Sequence, residues 1–107
     1  MNMHQESKIN LSLVIPVYNE ERYLPKLFDE LIKYFNQKNI EIIMVDDGST
    51  DKSKEIINKT TENGDYNFKI KVVQLKKNFG KGKAIQEGIK KTIGKFILLH
   101  DADLELD

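Results

Sequence analysis

The sequence contains no cysteine, which excludes disulfide frameworks, cysteine-ligated zinc, iron–sulfur clusters and thiol nucleophiles, and fits a reducing compartment. It has no long apolar run. Stretches such as Phe96-Ile97-Leu98-Leu99 fall far short of the roughly 18 residues that a membrane-spanning helix needs, and the first ten residues lack the apolar centre of a signal peptide. It has no excess charge either. Lys+Arg and Asp+Glu each total 17, so the global signature of a nucleic-acid-binding protein is missing and no nucleic-acid partner is expected. A chain of 107 residues has room for one domain and not for two, and at this size roughly two thirds of the unfolded surface can be buried without metals or disulfides. What is present, 39% hydrophobic and 32% charged residues, is the composition of a folded soluble domain.

The charges are balanced in number but not in place. Residues 41–66 hold seven acids against three lysines, residues 67–100 hold nine lysines and the single acid Glu87, and the last seven residues hold four acids and no base. A basic block between two acidic ones can receive an anion and a cation at adjoining points. Taken singly, most of these lysines read as solvated side chains on exposed faces.

Hydrophobic patterning alternates between strand and helix. Leu11-Ser12-Leu13-Val14-Ile15 is a short β-rich run closed by Pro16. Apolar residues then recur at Leu24, Leu27, Phe28, Leu31 and Phe35, the spacing of an amphipathic helix, with Pro25 in a first turn that tolerates it. Ile40 to Val45 is nearly continuous, like a strand covered on both faces. Thr50 or Asp51 then serves as N-cap for a helix to about Thr61 that buries Ile56 and Ile57, and Asn63-Gly64-Asp65 is a turn. Ile70 to Leu75 reads as a third strand, Gly82 to Thr92 as a third helix stopped by Gly94, and Phe96 to His100 as a fourth strand. This β-α-β-α-β-α-β order predicts an α/β fold, a parallel sheet with right-handed crossovers and helices on both faces. Residues 1–10 read as a polar N-terminal tail and 11–107 as the domain, which ends on a charged cluster after an apolar strand and so suggests a piece of a longer protein; with nothing downstream to cover that fourth strand, the piece is expected to self-associate.

Ligands of such sheets bind at the carboxyl ends of the strands, and the polar clusters fall there. Asp101-Ala102-Asp103 sets two carboxylates two positions apart, where they either cap a turn or converge on a divalent cation; oxygen-only ligands favour Mg2+ or Mn2+ over zinc. Of Asp46-Asp47, one carboxylate can accept hydrogen bonds from a nucleobase N–H or ribose hydroxyl while the other caps the loop. Gly80-Lys81-Gly82 opens a helix whose free N–H groups and lysine can face a phosphate, although neither G-x-G-x-x-G nor a P-loop is present. Ala84 and Gly88 share one helical face and suit close helix-to-sheet packing. Tyr18 can pack on a base or ribose and Glu20 can bind a hydroxyl, with ordinary half-buried packing as the other reading of Tyr18. His100 reads as a structural residue at a strand end or a group behind the acidic pair, and His4 has no role.

Four strings in this order, Leu13-Val-Ile-Pro-Val-Tyr-Asn-Glu20, Val45-Asp-Asp-Gly-Ser-Thr-Asp51, Asn78-Phe-Gly-Lys-Gly-Lys-Ala-Ile85 with Gly88, and Asp101-Ala-Asp-Leu-Glu105, resemble the N-terminal half of a family 2 glycosyltransferase of the GT-A fold, nearest in flavour to the dolichyl-phosphate or polyprenyl-phosphate sugar synthases. The resemblance runs from about Leu11 to the last residue. It implies a Rossmann-like, nucleotide-sugar-binding half-domain for a UDP- or GDP-sugar, and an inverting, metal-dependent hexosyl transfer with polyprenyl phosphate as a candidate acceptor. Carried over by position, Pro16, Tyr18 and Glu20 line the nucleoside pocket, Asp47 contacts the base, and Asp101 and Asp103, flanking Ala102, hold the metal. Glu105 stands where dolichyl-phosphate mannose synthases place a glutamine that reaches the metal. Lys81 is placed near the diphosphate by its charge and position. No catalytic base is assigned, and the resemblance implies a cytoplasmic setting or the cytoplasmic face of a membrane. The competing reading is a nucleotide-diphosphate-binding module without transfer activity.

Overall fold

A computed structural model of the chain describes residues 8–102. In chain order the elements are β1 (Leu11–Val17), α1 (Leu24–Phe35), β2 (Ile40–Asp46), α2 (Ser53–Asn63), β3 (Lys69–Gln74), α3 (Lys81–Ile89) and β4 (Phe96–Leu99). The strands form one sheet in the order β3-β2-β1-β4, and every pairing is parallel. All strands therefore point the same way and their carboxyl ends gather at one edge.

The period-two alternation of β1 and β2 divides the core into two layers. Leu13, Ile15 and Val17 with Ile42 and Met44 face α1 and α2, where Leu24, Leu27, Phe28, Leu31 and Ile57 complete the larger cluster. Leu27 and Leu31 are wholly buried, a placement that stabilises by about 1.5–3 kcal/mol for each side chain of this kind. On the other face Val14, Ile43 and Val45 pack against Ala84 of α3. Gly88 lets α3 lie down closely there, because a Cβ at that position would stand 2.6 Å from Val14 Cγ1 and 2.8 Å from Val45 Cγ2. Helices on both faces, and the packing role of Ala84 and Gly88, thus match the sequence reading.

Several boundaries differ, each for a local reason. Pro16 does not close β1, which continues to Val17 with Pro16 in register with Val45. Val14 O accepts the His100 N–H at 3.0 Å; residue 16 faces that same side, beyond the last β4 residue, so its missing donor costs no ladder bond. Helix α2 starts at Ser53 with Lys52, not Thr50 or Asp51, at the N-cap position, and it runs to Asn63. Asp51 still accepts the Ser53 N–H at 2.8 Å. Helix α3 ends at Ile89 because Lys91 and Thr92 donate to Gly88 O and Ile89 O, three residues back, which tightens the chain out of the α-helix before Gly94. Strand β4 stops at Leu99, one residue before His100, and forms a sheet edge with Phe96 61% and Leu99 51% exposed, the uncovered fourth strand that the sequence reading expects.

One buried polar group had no place in the sequence reading. Glu41, wholly buried in β2, accepts hydrogen bonds at Oε2 from Ser12 Oγ (2.6 Å) and from the Ile93 N–H (2.7 Å). Ser12 Oγ in turn accepts the Gly94 N–H at 2.9 Å. Lys71 Nζ lies 2.9 Å from Glu41 Oε1, off hydrogen-bond alignment, as an ion pair, and it also donates to Lys91 O at 2.8 Å. The network ties the α3–β4 connection to the amino end of the sheet. Burial alone pushes the Glu41 carboxyl up, but the bonds from Ser12 and Ile93 and the charge of Lys71 outweigh it and hold the group below its ordinary 4.5.

A carboxyl lowered in the folded state contributes stability above its unfolded value and loses it as pH falls through the folded value. Thermal unfolding followed from pH 7 to pH 3 is therefore expected to show a steep loss below about pH 4.5. Glu41→Gln should be less stable at pH 7 by about 1.5–3 kcal/mol, the range for hydrogen bonds to a charged group, and its acid limb should be shallower. Parallel pH curves for the two proteins would contradict the assignment.

Candidate functional site

At the carboxyl edge of the sheet a cleft of about 320 Å3 is lined by Pro16, Val17, Tyr18, Glu20, Asp47, Asn78, Gly80, Lys81, Asp101 and Ala102. These come from the end of β1, the loops after all four strands and the first residue of α3. Parallel pairing is what brings them together, since each strand delivers its following loop to the same edge.

The floor of the cleft is fixed by Asp47. Its N–H donates to Val17 O at 2.8 Å, joining the ends of β1 and β2. Its carboxylate accepts the Phe79 N–H at Oδ1 (2.8 Å), and at Oδ2 the Gly80 N–H (3.0 Å) and Asn78 Nδ2 (3.1 Å). Asp47 is only 2% exposed, not part of an open surface loop. Beside it, Gly48 adopts φ +70°, and a Cβ there would stand 2.3 Å from Lys77 C; only glycine lets the two loops approach this closely. Asp46 plays the capping part of the pair, accepting the Ser49 N–H at 3.2 Å.

A second set of bonds joins the loop after β1 to the loop after β2. Asn19, in the left-handed region at φ 52°, accepts the Thr50 and Asp51 N–H groups at 2.8 and 3.2 Å, and its own N–H donates to Ser49 Oγ at 3.0 Å. The Glu20 N–H donates to Ser53 Oγ (2.8 Å), the Glu21 N–H to Asp51 Oδ2 (3.2 Å), and the Lys52 N–H to Glu21 Oε1 (2.8 Å). Burial pushes the Asp51 carboxyl up, and the Ser53 and Glu21 donors more than reverse it, leaving it below its ordinary value. This lacing presents Tyr18 and Glu20 to the cleft.

The rim is looser. Lys81 Nζ donates to Asp101 Oδ1 at 2.8 Å, with the two side chains 63% and 67% exposed. An ion pair this open is worth about 0–1 kcal/mol, so its members can exchange partners at little cost. Gly80 caps α3 without a side chain, which leaves the first-turn N–H groups of a helix beside the cleft. His100 takes the structural part: its ring packs edge-on against Phe35 at 6.3 Å, and its Nδ1 lies 2.8 Å from Asp101 O.

Of the residues singled out from sequence, Pro16, Tyr18, Glu20, Asp47, Lys81, Asp101 and Ala102 line this one cleft; Asp103 and Glu105 lie outside the described residues. Sequence reasoning quoted Asn19, Ser49 and Asn78 within its motifs but gave no role to them or to Ser53. Their signal was only the density of short polar side chains in loops after strands. Among the described residues no three His, Cys, Asp or Glu side chains form a metal-binding group, and no helix is long and apolar enough to cross a membrane.

Comparison with known proteins places the cleft in context. The family model described as "Glycosyl transferase family 2" matches residues 12–107. A dolichyl-phosphate beta-glucosyltransferase of Dictyostelium discoideum is 37% identical over 109 residues, an alignment that covers 95% of this chain and 33% of that protein. The crystal structure of S. aureus TarS 1-349 in complex with UDP is similar with a TM-score of 0.77 and 33% identity, over 89% of this chain and 28% of that one. The mannosyltransferase PcManGT from Pyrobaculum calidifontis, solved with GDP-Man and Mn2+, shares the fold at a TM-score of 0.81 and 20% identity, over 92% of this chain and 28% of its own. The chain thus spans about a third of the length of these relatives.

Because Asp47 is buried and its carboxylate holds the Phe79 and Gly80 N–H groups, Asp47→Ala strands both. The expected result is a loss of about 2–6 kcal/mol in stability, one to three for each of the two groups left unpaired, with much faster amide exchange at Phe79 and Gly80. Unchanged exchange at those two amides would show that something else holds the loop.

Proposed function

The chain belongs to glycosyl transferase family 2, and on that premise we propose that its cleft holds the nucleotide end of a UDP- or GDP-sugar and serves an inverting hexosyl transfer to an acceptor such as a polyprenyl phosphate. The observation that carries the reading is the convergence of seven motif residues from the carboxyl ends of all four strands on one cleft. The UDP bound by TarS and the dolichyl phosphate in the glucosyltransferase's name support donor and acceptor class in turn.

In this reading Pro16 and Tyr18 pack against the nucleoside, Glu20 accepts from a ribose hydroxyl, and Asp47 accepts from the base while keeping its hold on residues 78–80. Lys81 leaves Asp101 to meet the diphosphate. Asp101 is an exposed carboxylate on the cleft lining whose present partner is a cation, and that donor chemistry fits a hard divalent ion. Asp101 and Asp103, with Glu105 beside them, would hold Mg2+ or Mn2+. When bound, such an ion offsets the negative charge that grows on the departing diphosphate. A phosphate acceptor is already ionised near neutral pH, so the chain's own residues are asked to bind and orient the donor rather than to remove a proton. Since the chain spans about a third of its relatives, a second reading is that these 107 residues bind the nucleotide diphosphate without transferring sugar; turnover of a UDP- or GDP-sugar by this chain would exclude it.

Titration calorimetry with UDP and GDP, each in Mn2+ and in EDTA, tests the proposal. Affinity for at least one nucleotide should rise about tenfold with Mn2+, which is 1.4 kcal/mol, and Asp101→Asn should remove most of that gain. Equal affinity in metal and in EDTA would refute the metal assignment, and no binding of either nucleotide would refute the donor site.

A further inference from the structure

The end of the sheet opposite this cleft carries a lysine at the entrance to every strand. Lys69 opens β3, Lys38 precedes β2 by two residues, Lys8 precedes β1 by three, and Lys95 directly precedes β4. With the strand order β3-β2-β1-β4, they stand in the spatial order Lys69, Lys38, Lys8, Lys95, on strands about 4.8 Å apart. Backbone bonds hold these entrances together: Asn10 N–H to Asn39 O at 2.8 Å, and Lys95 N–H to Ile9 O at 3.2 Å.

Three of the four line a second cleft. Lys8, Lys38 and Lys69, with Asn39 and Asn67, line an open hollow of about 480 Å3, and among the described residues no carboxylate lines it. Lys71, Lys81, Lys83 and Lys90 each have a carboxylate partner, whereas Lys8, Lys38 and Lys69 have none among the described residues. The helices run back toward this end, and their negative poles attract lysines within the last turn. That account covers neither Lys8 nor Lys69, which lie at strand entrances, nor Lys38, three residues past α1. Unpaired ammonium groups facing one hollow repel one another unless an anion joins them.

We propose that this cleft is a second binding site, for a small ligand carrying two or more phosphate groups. Several lysines with carboxamide donors and no acid match closely spaced anionic oxygens. The volume lies in the small-ligand range of roughly 300–1,000 Å3. A flat anionic membrane is the poorer fit, since it would hold the first cleft at the far end of β1, whose seven residues span about 23 Å, facing away from the bilayer. The site is separate from the nucleotide cleft; only the preference over a membrane rests on the lipid-phosphate acceptor proposed for that cleft.

Pyrophosphate is the probe, added to the 15N-labelled chain and followed by amide shifts. Saturable shifts are expected at Asn39, Asn67 and Lys69, distinct from those at Tyr18, Asp47 and Gly80 that report on the first cleft. Lys38→Gln with Lys69→Gln should weaken them about tenfold or more, with the thermal midpoint checked alongside; should the pair fail to fold, Lys38→Gln in its loop serves alone. Raising salt to about 0.5 M should weaken them further. No saturable shift at these amides by about 5 mM, or equal affinity in the folded variants, overturns the proposal. Binding to vesicles of phosphatidylcholine with phosphatidylserine, without pyrophosphate binding, also overturns it and assigns the lysines to a lipid surface.

Discussion

The cleft depends on one buried carboxylate. Removing Asp47 from water costs several kcal/mol unless its oxygens are satisfied, and here the Phe79 and Gly80 N–H groups and the Asn78 carboxamide satisfy them. That requirement places the loop after β3 against the end of β2, and the Asp47 N–H bond to Val17 O adds the end of β1. Gly48 is glycine because the same approach leaves no space for a Cβ. The floor is consequently held by several bonds, while the Lys81–Asp101 pair at the rim is exposed and costs little to part. A well-bonded floor under a loosely paired rim suits a site that takes up a charged ligand.

The two ends of the sheet divide the labour. At the amino end, Glu41 and its partners fasten the α3–β4 connection across three strands. At the carboxyl end, polar side chains fasten loops to one another and leave a hollow between them. A parallel sheet makes this separation unavoidable, since crossover helices return the chain to the same end before each strand.

The architecture was legible because its signals are periodic: Leu24, Leu27, Phe28 and Leu31 trace one helical face, and Ile40 to Val45 reads as a strand covered on both sides. Boundaries were less so. Pro16 argues for a strand end, and only the short reach of β4 explains why β1 continues through it. Glu41 looked like an interruption in an apolar run; its meaning depends on Ser12, Lys71 and Ile93, which register and not spacing brings near. The Asn19 lacing has the same character, because a single sequence carries no record of which loops meet. Asp47 was placed in the cleft by its strand-end position and its motif. Its burial was not visible from sequence, since it arises from residues 78–80, about thirty positions away.

The most direct test of the account is a crystal structure of this chain grown with UDP or GDP and Mn2+. The account predicts a nucleoside between Pro16 and Tyr18 with its diphosphate near Lys81 and Asp101, Lys81 and Asp101 parted from each other, and residues 78–80 still bonded to Asp47. A nucleotide seated elsewhere, or one that binds only after residues 78–80 have left Asp47, would contradict it.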